Sequence, residues 1–328
     1  MPRPLVSIMI PTYNQVEYLG EAIESALDQT YTPLEIVISD DASPNPDVIT
    51  ILDRYKNDPR ISVYINRENL GRAKNYRTTL YERASGSWVI NLDGDDFFYD
   101  SGFIERAMAL VAGNPDVVMV TGRRLQRVEE NQEFIENDRN QGPERVMSSE
   151  QAYQALLDEK YYYWHATTLY QRKIATGLDF YRYGMTATDD DSFLRLMGCG
   201  SVGVVPVWAA VWRKHASNAS CNQSVREMID NLRALEAPKD LLDHPLSKVC
   251  PEFLTPWIRK HLANRVKPKV RELLKDRRSL SDYFLFVWAV MKISPSVGGM
   301  ILFRPKNVLR VFRAPFVELY CRMEKKCS

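Results

Sequence analysis

Three carboxylates stand within four residues, directly after an apolar run at 88–92 that predicts a buried strand. The acids are Asp93, Asp95 and Asp96. Carboxylates this close repel one another unless a cation lies among them, and Mg²⁺ binds carboxylates together with substrate phosphates. Gly94 leaves room for a ligand or a backbone segment to approach. The pattern predicts a cation and diphosphate site, and the alternative interpretation is an acidic turn that caps the next helix.

Two further acidic groups stand at the ends of predicted elements. Asp40 and Asp41 follow a second apolar run at 34–39, and turn capping is the alternative interpretation for them. Asp189, Asp190 and Asp191 open a short helix that continues over 192–197. Neighbouring carboxylates raise one another's pKa, which suits a general base that works near neutral pH. The alternative is that these acids only favour a helix N-terminus.

The elements that position these acids alternate in type. Apolar runs at 5–10, 34–39, 61–65 and 88–92 predict buried strands, and apolar residues at helical spacing lie between them. This order predicts an α/β fold with a mostly parallel sheet flanked by helices. Ligands of such sheets bind at the carboxyl ends of the strands, where the first two acidic groups stand.

Charge divides the chain unevenly. From Arg259 onward there are 17 Lys and Arg against 5 Asp and Glu, whereas residues 1–258 carry 26 against 37. The basic end predicts contact with an anionic surface such as phospholipid. The apolar stretch at 283–303 is interrupted by Lys292 and Pro295, which favours a segment lying on a surface over a spanning helix. The segments 308–316 and 325–326 extend this basic pattern, and a packed helical subdomain is the alternative interpretation.

Cysteine usage and the start of the chain bear on the compartment. The five cysteines are widely spaced, and their odd number argues against a disulfide framework. The first residues run into a strand pattern without the features of a signal peptide. We therefore expect a cytoplasmic protein, at the inner face of the cell membrane if the basic end contacts lipid. Nucleic-acid binding is not expected, because the basic residues lie in an apolar tail rather than in a recognition module.

Taken in order, segments within residues 4–220 resemble the family 2 glycosyltransferases, the large inverting group with the GT-A fold. The similar segments are 6–14 (VSIMIPTYN), 29–31 (QTY), 40–43 (DDAS), 69–71 (NLG) with Asn75, 84–86 (ASG) and 93–96 (DGDD). The resemblance implies a GT-A domain over 1–220, with a donor half at about 1–100 and an acceptor half at about 101–220. A basic helical C-terminal extension over 221–328 would follow.

The resemblance also implies a reaction. Such an enzyme moves a sugar from a nucleotide-diphosphate sugar, here expected to be a UDP-sugar, to a hydroxyl of a glycan or lipid-linked glycan in bacterial surface polysaccharide synthesis. A divalent cation, Mn²⁺ or Mg²⁺, stabilises the departing diphosphate. By this resemblance Asp95 is the direct metal ligand, and Asp93 contacts the ribose or a metal-bound water. Asp96 then orients the metal or the donor sugar.

Further donor contacts follow from the same resemblance. The base pocket is expected to be lined by Pro11, Thr12 and Tyr13, with Asp41 hydrogen-bonded to the base and Asp40 beside it. The helix that faces this cleft carries Arg72, Lys74 and Asn75, which are candidates for phosphate or base contacts. An ordinary surface position is the alternative interpretation for two of these three.

The general base is expected in the segment 188–195 (TDDDSFLR), which resembles the family's acidic pair at the start of a helix. Phe193 lies three positions beyond Asp190, which favours Asp190 as the base. Arg195 falls one position earlier than the usual spacing, so Asp189 and Asp191 stay candidates.

The segment 212–220 (WRKHASNAS) resembles a further family segment. It implies that His215 ligates the metal or contacts the diphosphate and that Arg213 neutralises phosphate. A structural role is the alternative interpretation for His215. The aromatic cluster at 161–164 and the nearby Trp212 suggest stacking on an acceptor sugar by Tyr163, Trp164 and Trp212. Core packing is the alternative for these rings. We interpret the remaining histidines, His165, His244 and His261, as structural.

Two other functions compete with this prediction. A nucleotidyltransferase of sugar phosphates also uses an acidic metal site, but its Gly-rich phosphate loop is replaced after the first strand by Pro-Thr-Tyr-Asn. A catalytically inactive glycan-binding scaffold is the third hypothesis. Both acidic groups are present, so the sequence gives no sign that catalytic residues have been lost.

Overall fold

The computed structural model describes residues 3–136, 139–218, 223–275 and 280–302. The predicted basic segments at 308–316 and 325–326 lie outside the described residues, as do 137 and 138 of the polar stretch that follows residue 121. In the described ranges, no helix combines the length and apolar character that a membrane crossing requires.

A single sheet runs through the described residues. Its strands are β1 (Val6–Thr12), β2 (Leu34–Asp40), β3 (Ile61–Ile65), β4 (Trp88–Asn91), β5 (Phe97–Phe98), β6 (Val117–Val128), β7 (Glu133–Ile135), β8 (Arg145–Met147), β9 (Thr168–Gln171) and β10 (Ser201–Lys214). The strand order is β3-β2-β1-β4-β9-β6-β10-β5, with β7 paired to β6 and β8 to β10.

The predicted parallel sheet is confirmed for the first four strands. β3, β2, β1 and β4 pair in parallel, with Val6 opposite both Leu34 and Trp88. Beyond β4 the sheet is mixed. β9 runs antiparallel to β4 and to β6, and β6 and β10 are again parallel. The sheet therefore has a regular parallel half and a less regular half, as the change in sequence pattern after residue 100 indicates.

Helices cover both faces of the sheet and form the end of the described chain. They are α1 (Leu19–Leu27), α2 (Asp47–Asp53), α3 (Arg72–Thr78), α4 (Phe103–Gly113), α5 (Ser149–Leu157), α6 (Arg172–Gly177), α7 (Thr188–Met197), α8 (Val225–Asp230), α9 (Leu232–Glu236), α10 (Pro251–Lys275), α11 (Leu280–Ile293) and α12 (Pro295–Leu302).

Strand alternation divides the apolar residues between two cores. On β1, Ile8 and Ile10 enter the core beneath α1, α2 and α4, whereas Met9 enters the core on the opposite face. Because both faces are covered, the strand reads as a continuous apolar run. At about 25 cal/mol per Å² of apolar surface, this burial is the main favourable contribution to folding.

The helices after residue 223 are not detached from the sheet domain. Leu254 and Trp257 of α10 belong to the same core as Tyr153 of α5. The indole Nε1 of Trp257 donates a hydrogen bond to the carbonyl of Tyr153 at 2.7 Å. Further along, α10 forms a separate core with α11 and α12, which includes Val270 and Val290. α10 is thereby fixed against the acceptor half that the sequence predicts.

Candidate active site

The carboxyl ends of β1, β2 and β4 surround a cavity of about 380 Å³, which we call the strand-end cavity. It brings together most of the predicted donor and metal residues. Its lining includes Pro11, Thr12, Tyr13, Asp41, Arg72, Asn75, Asp93, Asp95, Asp96 and Trp212. Parallel strands end at one edge of a sheet, so segments far apart in sequence meet there.

The three acids of the 93–96 segment converge. One oxygen from each of Asp93, Asp95 and Asp96 lies within 4.8 Å of the other two. The side chain of Asp93 is held by the hydroxyl of Tyr76 at 2.7 Å and by the amide of Asn91 at 2.9 Å. The carboxylate of Asp96 accepts a hydrogen bond from a backbone N–H of β10 at 3.0 Å. These partners fix the acids before any ligand binds.

The acidic cluster offers oxygen ligands of the kind that a divalent cation binds. Burial raises the pKa of Asp93, and the charge of Asp95 adds to that rise. Burial likewise raises the pKa of Asp96 well above its ordinary value, with Asp95 and Asp93 contributing. A divalent ion among these oxygens would reverse both effects, since hard cations favour ionised oxygen ligands. The donor set thus fits Mg²⁺ or Mn²⁺.

His215 lies beside this cluster, as its predicted metal role requires. Its Nε2 is 3.1 Å from Oδ2 of Asp95, and its Nδ1 is 2.8 Å from the hydroxyl of Ser217. The ring also stacks on Tyr18, with 5.2 Å between ring centroids. His215 can therefore contribute a nitrogen ligand at the position of Asp95.

Arg213 does not have the predicted role of a phosphate partner. Its side chain is 1% exposed and forms ion pairs with Glu21 and with Glu129. Its Nη1 donates to the carbonyl oxygen of Asp95 at 2.8 Å. Arg213 therefore fixes the backbone of the acidic segment from behind and offers no donor to the cavity.

Asp40 and Asp41 separate into two roles. Asp40 is fully buried and its carboxylate accepts hydrogen bonds from the backbone and hydroxyl of Ser43. The oxygens of Asp40 cap this turn, and Asp40 does not line the strand-end cavity. Asp41 lines the strand-end cavity, and its two oxygens accept from the N–H groups of Leu70 and Gly71 at 2.8 and 2.9 Å.

The three candidates on α3 also differ. Lys74 is exposed and lies outside the lining of the described cavities. Asn75 is buried, and its amide is used on Ser39 and Asn66, so its contribution is to hold the turn around Asp41. Arg72 alone of the three presents a charged group to the cleft, and its guanidinium donates to the carbonyl of Thr186.

Gly94 is required by packing. A Cβ at this position would lie 2.5 Å from Oε1 of Gln15 and 2.8 Å from Oγ1 of Thr12. The close approach that the sequence suggested is therefore made by side chains of the protein around the end of β1.

A second cavity of about 460 Å³, the middle cavity, adjoins the first. The two share Arg72, Tyr76, Asp93, Asp96 and Trp212. The far wall of the middle cavity is formed by the start of α7, through Asp189 and Asp190. The acids at the strand ends and the acids of α7 therefore face one continuous space from two sides.

Asp191 is excluded as the general base. It is fully buried, with Oδ2 2.6 Å from Arg195 and Oδ1 2.9 Å from Arg182. Both guanidiniums neutralise it, and it lines none of the three described cavities. The arginine that lies one position early in the sequence is explained by this pair, since Asp191 and Arg195 are one helical turn apart.

Asp189 and Asp190 differ in their partners. The carboxylate of Asp190 is held by the hydroxyl of Tyr163 at 2.9 Å and by Arg265 of α10 at 3.3 Å. Asp189 accepts from backbone N–H groups at the start of α7, and the positive charges that act on it are those of Arg72, which has the larger effect, and Arg265. Burial raises the pKa of both carboxylates, with Arg265 opposing the rise at Asp190 and Arg72 at Asp189.

The aromatic candidates differ in whether their rings face a cavity. Trp164 and Trp212 both line the middle cavity, and the guanidinium of Arg124 lies 3.4 Å from the ring centroid of Trp164 and 4.9 Å from that of Trp212. Tyr163 is 3% exposed, so it presents its hydroxyl to Asp190 rather than a ring face to a ligand.

Two site residues were missed by the sequence reasoning. His165, interpreted as structural, lines the middle cavity and lies 3.2 Å from the amide of Asn91, which holds Asp93. Burial lowers the pKa of His165 to about 4, so the ring is neutral near pH 7. Arg265 reaches Asp190 across 75 residues of sequence. The sequence gave no signal for Arg265, which lies in the basic region. For His165, its position directly after the aromatic cluster could have served as one.

Comparison with known proteins identifies the family. Residues 7–178, more than half of the chain, match the profile described as Glycosyl transferase family 2. The chain belongs to glycosyl transferase family 2. Among curated members, it is 41% identical over 96 residues to chondroitin synthase of Escherichia coli, which is 29% of this chain and 13% of that protein. It is also 41% identical over 95 residues to the putative teichuronic acid biosynthesis glycosyltransferase TuaG of Bacillus subtilis, which is 29% of this chain and 37% of TuaG.

The family 2 chain thus spans well under half the length of these curated relatives. Among solved structures, it is similar to residues 1–349 of TarS from S. aureus in complex with UDP-GlcNAc, with a TM-score of 0.68 and 16% identity. That similarity covers 87% of this chain and 79% of the TarS chain and shows the fold. The GT-A fold implied by the sequence is confirmed.

Proposed function

We propose that this family 2 chain is an inverting, metal-dependent glycosyltransferase that moves a sugar from a nucleotide-diphosphate sugar to a hydroxyl of a glycan or lipid-linked glycan. The observation that carries the proposal is the continuous space between two sets of acids. One set, at the strand ends, suits a cation and a diphosphate, and the other, at the start of α7, suits a base.

The donor would lie in the strand-end cavity. A UDP-sugar is the first candidate, because the TarS structure of the same fold holds UDP-GlcNAc. Asp41 and the ring of Tyr13, which is 48% exposed, would contact the base and ribose. The diphosphate would face Asp93, Asp95, Asp96 and His215. A divalent cation held by these side chains would stabilise the negative charge that develops on the diphosphate.

We propose Asp189 as the general base, in place of Asp190. In an inverting displacement the acceptor oxygen attacks the anomeric carbon from the side opposite the diphosphate. The new carbon–oxygen bond forms as the bond to the diphosphate breaks, and the diphosphate leaves with the electron pair. The hydroxyl proton passes to the base. Asp189 faces the middle cavity without a side-chain hydrogen bond among the described residues, whereas Tyr163 and Arg265 already occupy Asp190.

The acceptor would enter the middle cavity. Trp164 and Trp212 offer apolar faces for a sugar ring, and Arg124 stacks between them. The relationship to a teichuronic acid glycosyltransferase supports a role in bacterial surface polysaccharide synthesis. Contact with the cytoplasmic face of the membrane is part of the proposal. It is supported by α11, on which Phe284, Leu285 and Trp288 are about half exposed or more.

Donor binding tests the proposal. Calorimetry would compare UDP-, GDP- and dTDP-sugars, with and without Mn²⁺, on the native protein and on Asp95→Asn, with Asp28→Asn as a control at an exposed acid outside the site. We expect one nucleotide class to bind with Mn²⁺, to the native protein and the control alone. Absence of nucleotide binding under every condition would refute the proposal.

A further inference from the structure

A third cavity continues the site beyond Asp190. This distal cavity, of about 470 Å³, lies between α5, the pair α8 and α9, and α10, with Phe286 of α11 in its wall. It shares Ala187, Asp190 and Gln223 with the middle cavity. A molecule whose reactive hydroxyl lies near Asp189 could therefore extend past Asp190 into this space.

Three cationic side chains line the distal cavity, beside the neutral polar groups of Gln223, Asn231 and Asn264. Arg139 comes from the segment before β8, and Arg265 and Lys269 lie one turn apart on α10. Two carboxylates line it, Glu159 and Asp190, and they pair with Arg139 and Arg265 at 3.3 Å each. His261 also lines it, but burial lowers the pKa of His261 to about 3, so its ring adds no charge near pH 7.

These cations retain capacity for a ligand. The guanidinium of Arg265 has five N–H donors; it donates one hydrogen bond to Asp190 and another to the hydroxyl of Tyr162, so further donors are left for a ligand. The pair of Lys269 with Glu272 is about two-fifths exposed on both sides, so water screens it and an anion could replace it. The ring of Tyr162 lies 5.8 Å from the guanidinium of Arg265 and completes this side of the cavity.

Part of the lining is apolar. Leu232, Leu235 and Val266 line the cavity together with Phe286. A cavity that joins cations with an apolar wall suits a phosphate attached to a less polar group. A phosphate presents three acceptor oxygens and can contact cations from separate elements at once.

We propose that the distal cavity binds a phosphate group carried by the acceptor, through Arg139, Arg265 and Lys269. The inference rests on the proposed function, because it places the acceptor hydroxyl in the middle cavity. It narrows the acceptor to a phosphate-bearing glycan, with the phosphate either in a lipid headgroup or within a polymer.

The test uses small probes and the full chain. Geranyl phosphate represents the lipid source, glycerol 3-phosphate represents the polymer source, and geraniol lacks the anion. Each is titrated by calorimetry into protein saturated with UDP and Mn²⁺, so that the strand-end cavity is filled. Lys269→Glu reverses the charge in the distal cavity. Lys260→Glu makes the same change at an exposed position of α10 outside the cavity.

We expect at least one phosphate probe to bind the native protein and Lys260→Glu. Its affinity for Lys269→Glu should be about one tenth of the native value or lower, as loss of a charge-assisted contact implies. Tighter binding of geranyl phosphate would assign the lipid source, and tighter binding of glycerol 3-phosphate the polymer source. The proposal is overturned if neither phosphate binds, if Lys269→Glu binds as the native protein does, or if geraniol binds as tightly as geranyl phosphate.

Failure of the proposed function would be seen separately. If no nucleotide binds, the same titrations are made without nucleotide or metal, where the phosphate probes still report on the distal cavity. If the cavity binds phosphate but the protein binds no nucleotide, the proposal of a phosphate site stands and the proposed glycosyltransferase function is refuted. The melting temperature of each variant shows whether it is folded.

Discussion

The carboxylate of Asp191 lies 2.6 Å from the guanidinium of Arg195, one helical turn further along α7, and both side chains are almost completely buried. Arg182 closes the other side of the carboxylate at 2.9 Å. This pair determines which way the start of α7 is turned. It places Asp191 inside the protein and leaves the two preceding acids facing the cavities.

Asp191→Asn should therefore act on stability. Removing the charge leaves the buried guanidinium of Arg195 without its anion, whereas Arg182 keeps Asp240, and breaking a buried pair costs about 3–5 kcal/mol. We expect the free energy of unfolding, measured by urea denaturation, to fall by about that amount. Asp189→Asn is the control and should change it by less than about 1 kcal/mol. Equal effects of the two substitutions would contradict the assignment.

Asp189→Asn should instead lower the rate of sugar transfer. Loss of a general base lowers the rate by about 10²–10⁴-fold. We expect kcat for sugar transfer to fall in that range while the Kd of the donor, measured by calorimetry, is unchanged. Asp190→Asn, which removes the partner of Tyr163 and Arg265, should lower kcat by less than about tenfold. The reverse order would restore Asp190 as the base.

The pH dependence of transfer should report on Arg72. Burial raises the pKa of Asp189 and Arg72 opposes that rise, so activity should fall with decreasing pH as Asp189 gains a proton. In Arg72→Gln the larger opposing charge is gone while that of Arg265 remains, and the acid limb of kcat/KM should move to higher pH. Lys74→Gln, at an exposed position outside the cavities, should leave the limb in place. If the acid limb does not move in Arg72→Gln, Arg72 does not influence the protonation of Asp189.

Arg213→Met distinguishes support of the acidic segment from phosphate binding. The substitution leaves Glu21 without its cation, leaves Glu129 with Arg127, and frees the carbonyl of Asp95. We expect unfolding to require about 3 kcal/mol less free energy. In the folded variant, affinities for UDP and for uridine should change in the same proportion. A selective loss of UDP affinity would reinstate Arg213 as a phosphate contact.

His261 should make stability depend on pH. Burial lowers its pKa in the folded protein to about 3, against an ordinary value of 6.5, and its ring stacks on Trp257. Its contribution is fully present above pH 6.5 and is lost as the pH falls, because the unfolded chain takes up the proton first. Between pH 7 and pH 5 the loss is about 2 kcal/mol.

Urea denaturation of His261→Gln at these two pH values should show a smaller loss of stability on acidification by that amount. His244→Gln, at a half-exposed histidine, serves as the control and should behave as the native protein does. A loss in His261→Gln as large as that of the native protein would mean that other groups account for the pH effect.

The acids at the strand ends illustrate what pattern alone could reach. An apolar run followed directly by carboxylates identifies the end of a strand, and parallel strands place such ends at one edge. The meeting of Asp41 with Asp93, Asp95 and Asp96 could therefore be expected. The division between Asp40 and Asp41 could not, because adjacent residues on a strand end differ only in the direction of their side chains.

The sequence by itself determined the family resemblance, the parallel first half of the sheet and the position of the acidic segment, because these depend on periodicity and local order. Only the tertiary structure distinguished the surroundings of Asp189, Asp190 and Asp191, buried Arg213 behind the acidic segment, and brought Arg265 to Asp190. Those outcomes depend on which charged groups meet across long separations in sequence. Burial then decides whether a charge is neutralised inside the protein or faces a ligand.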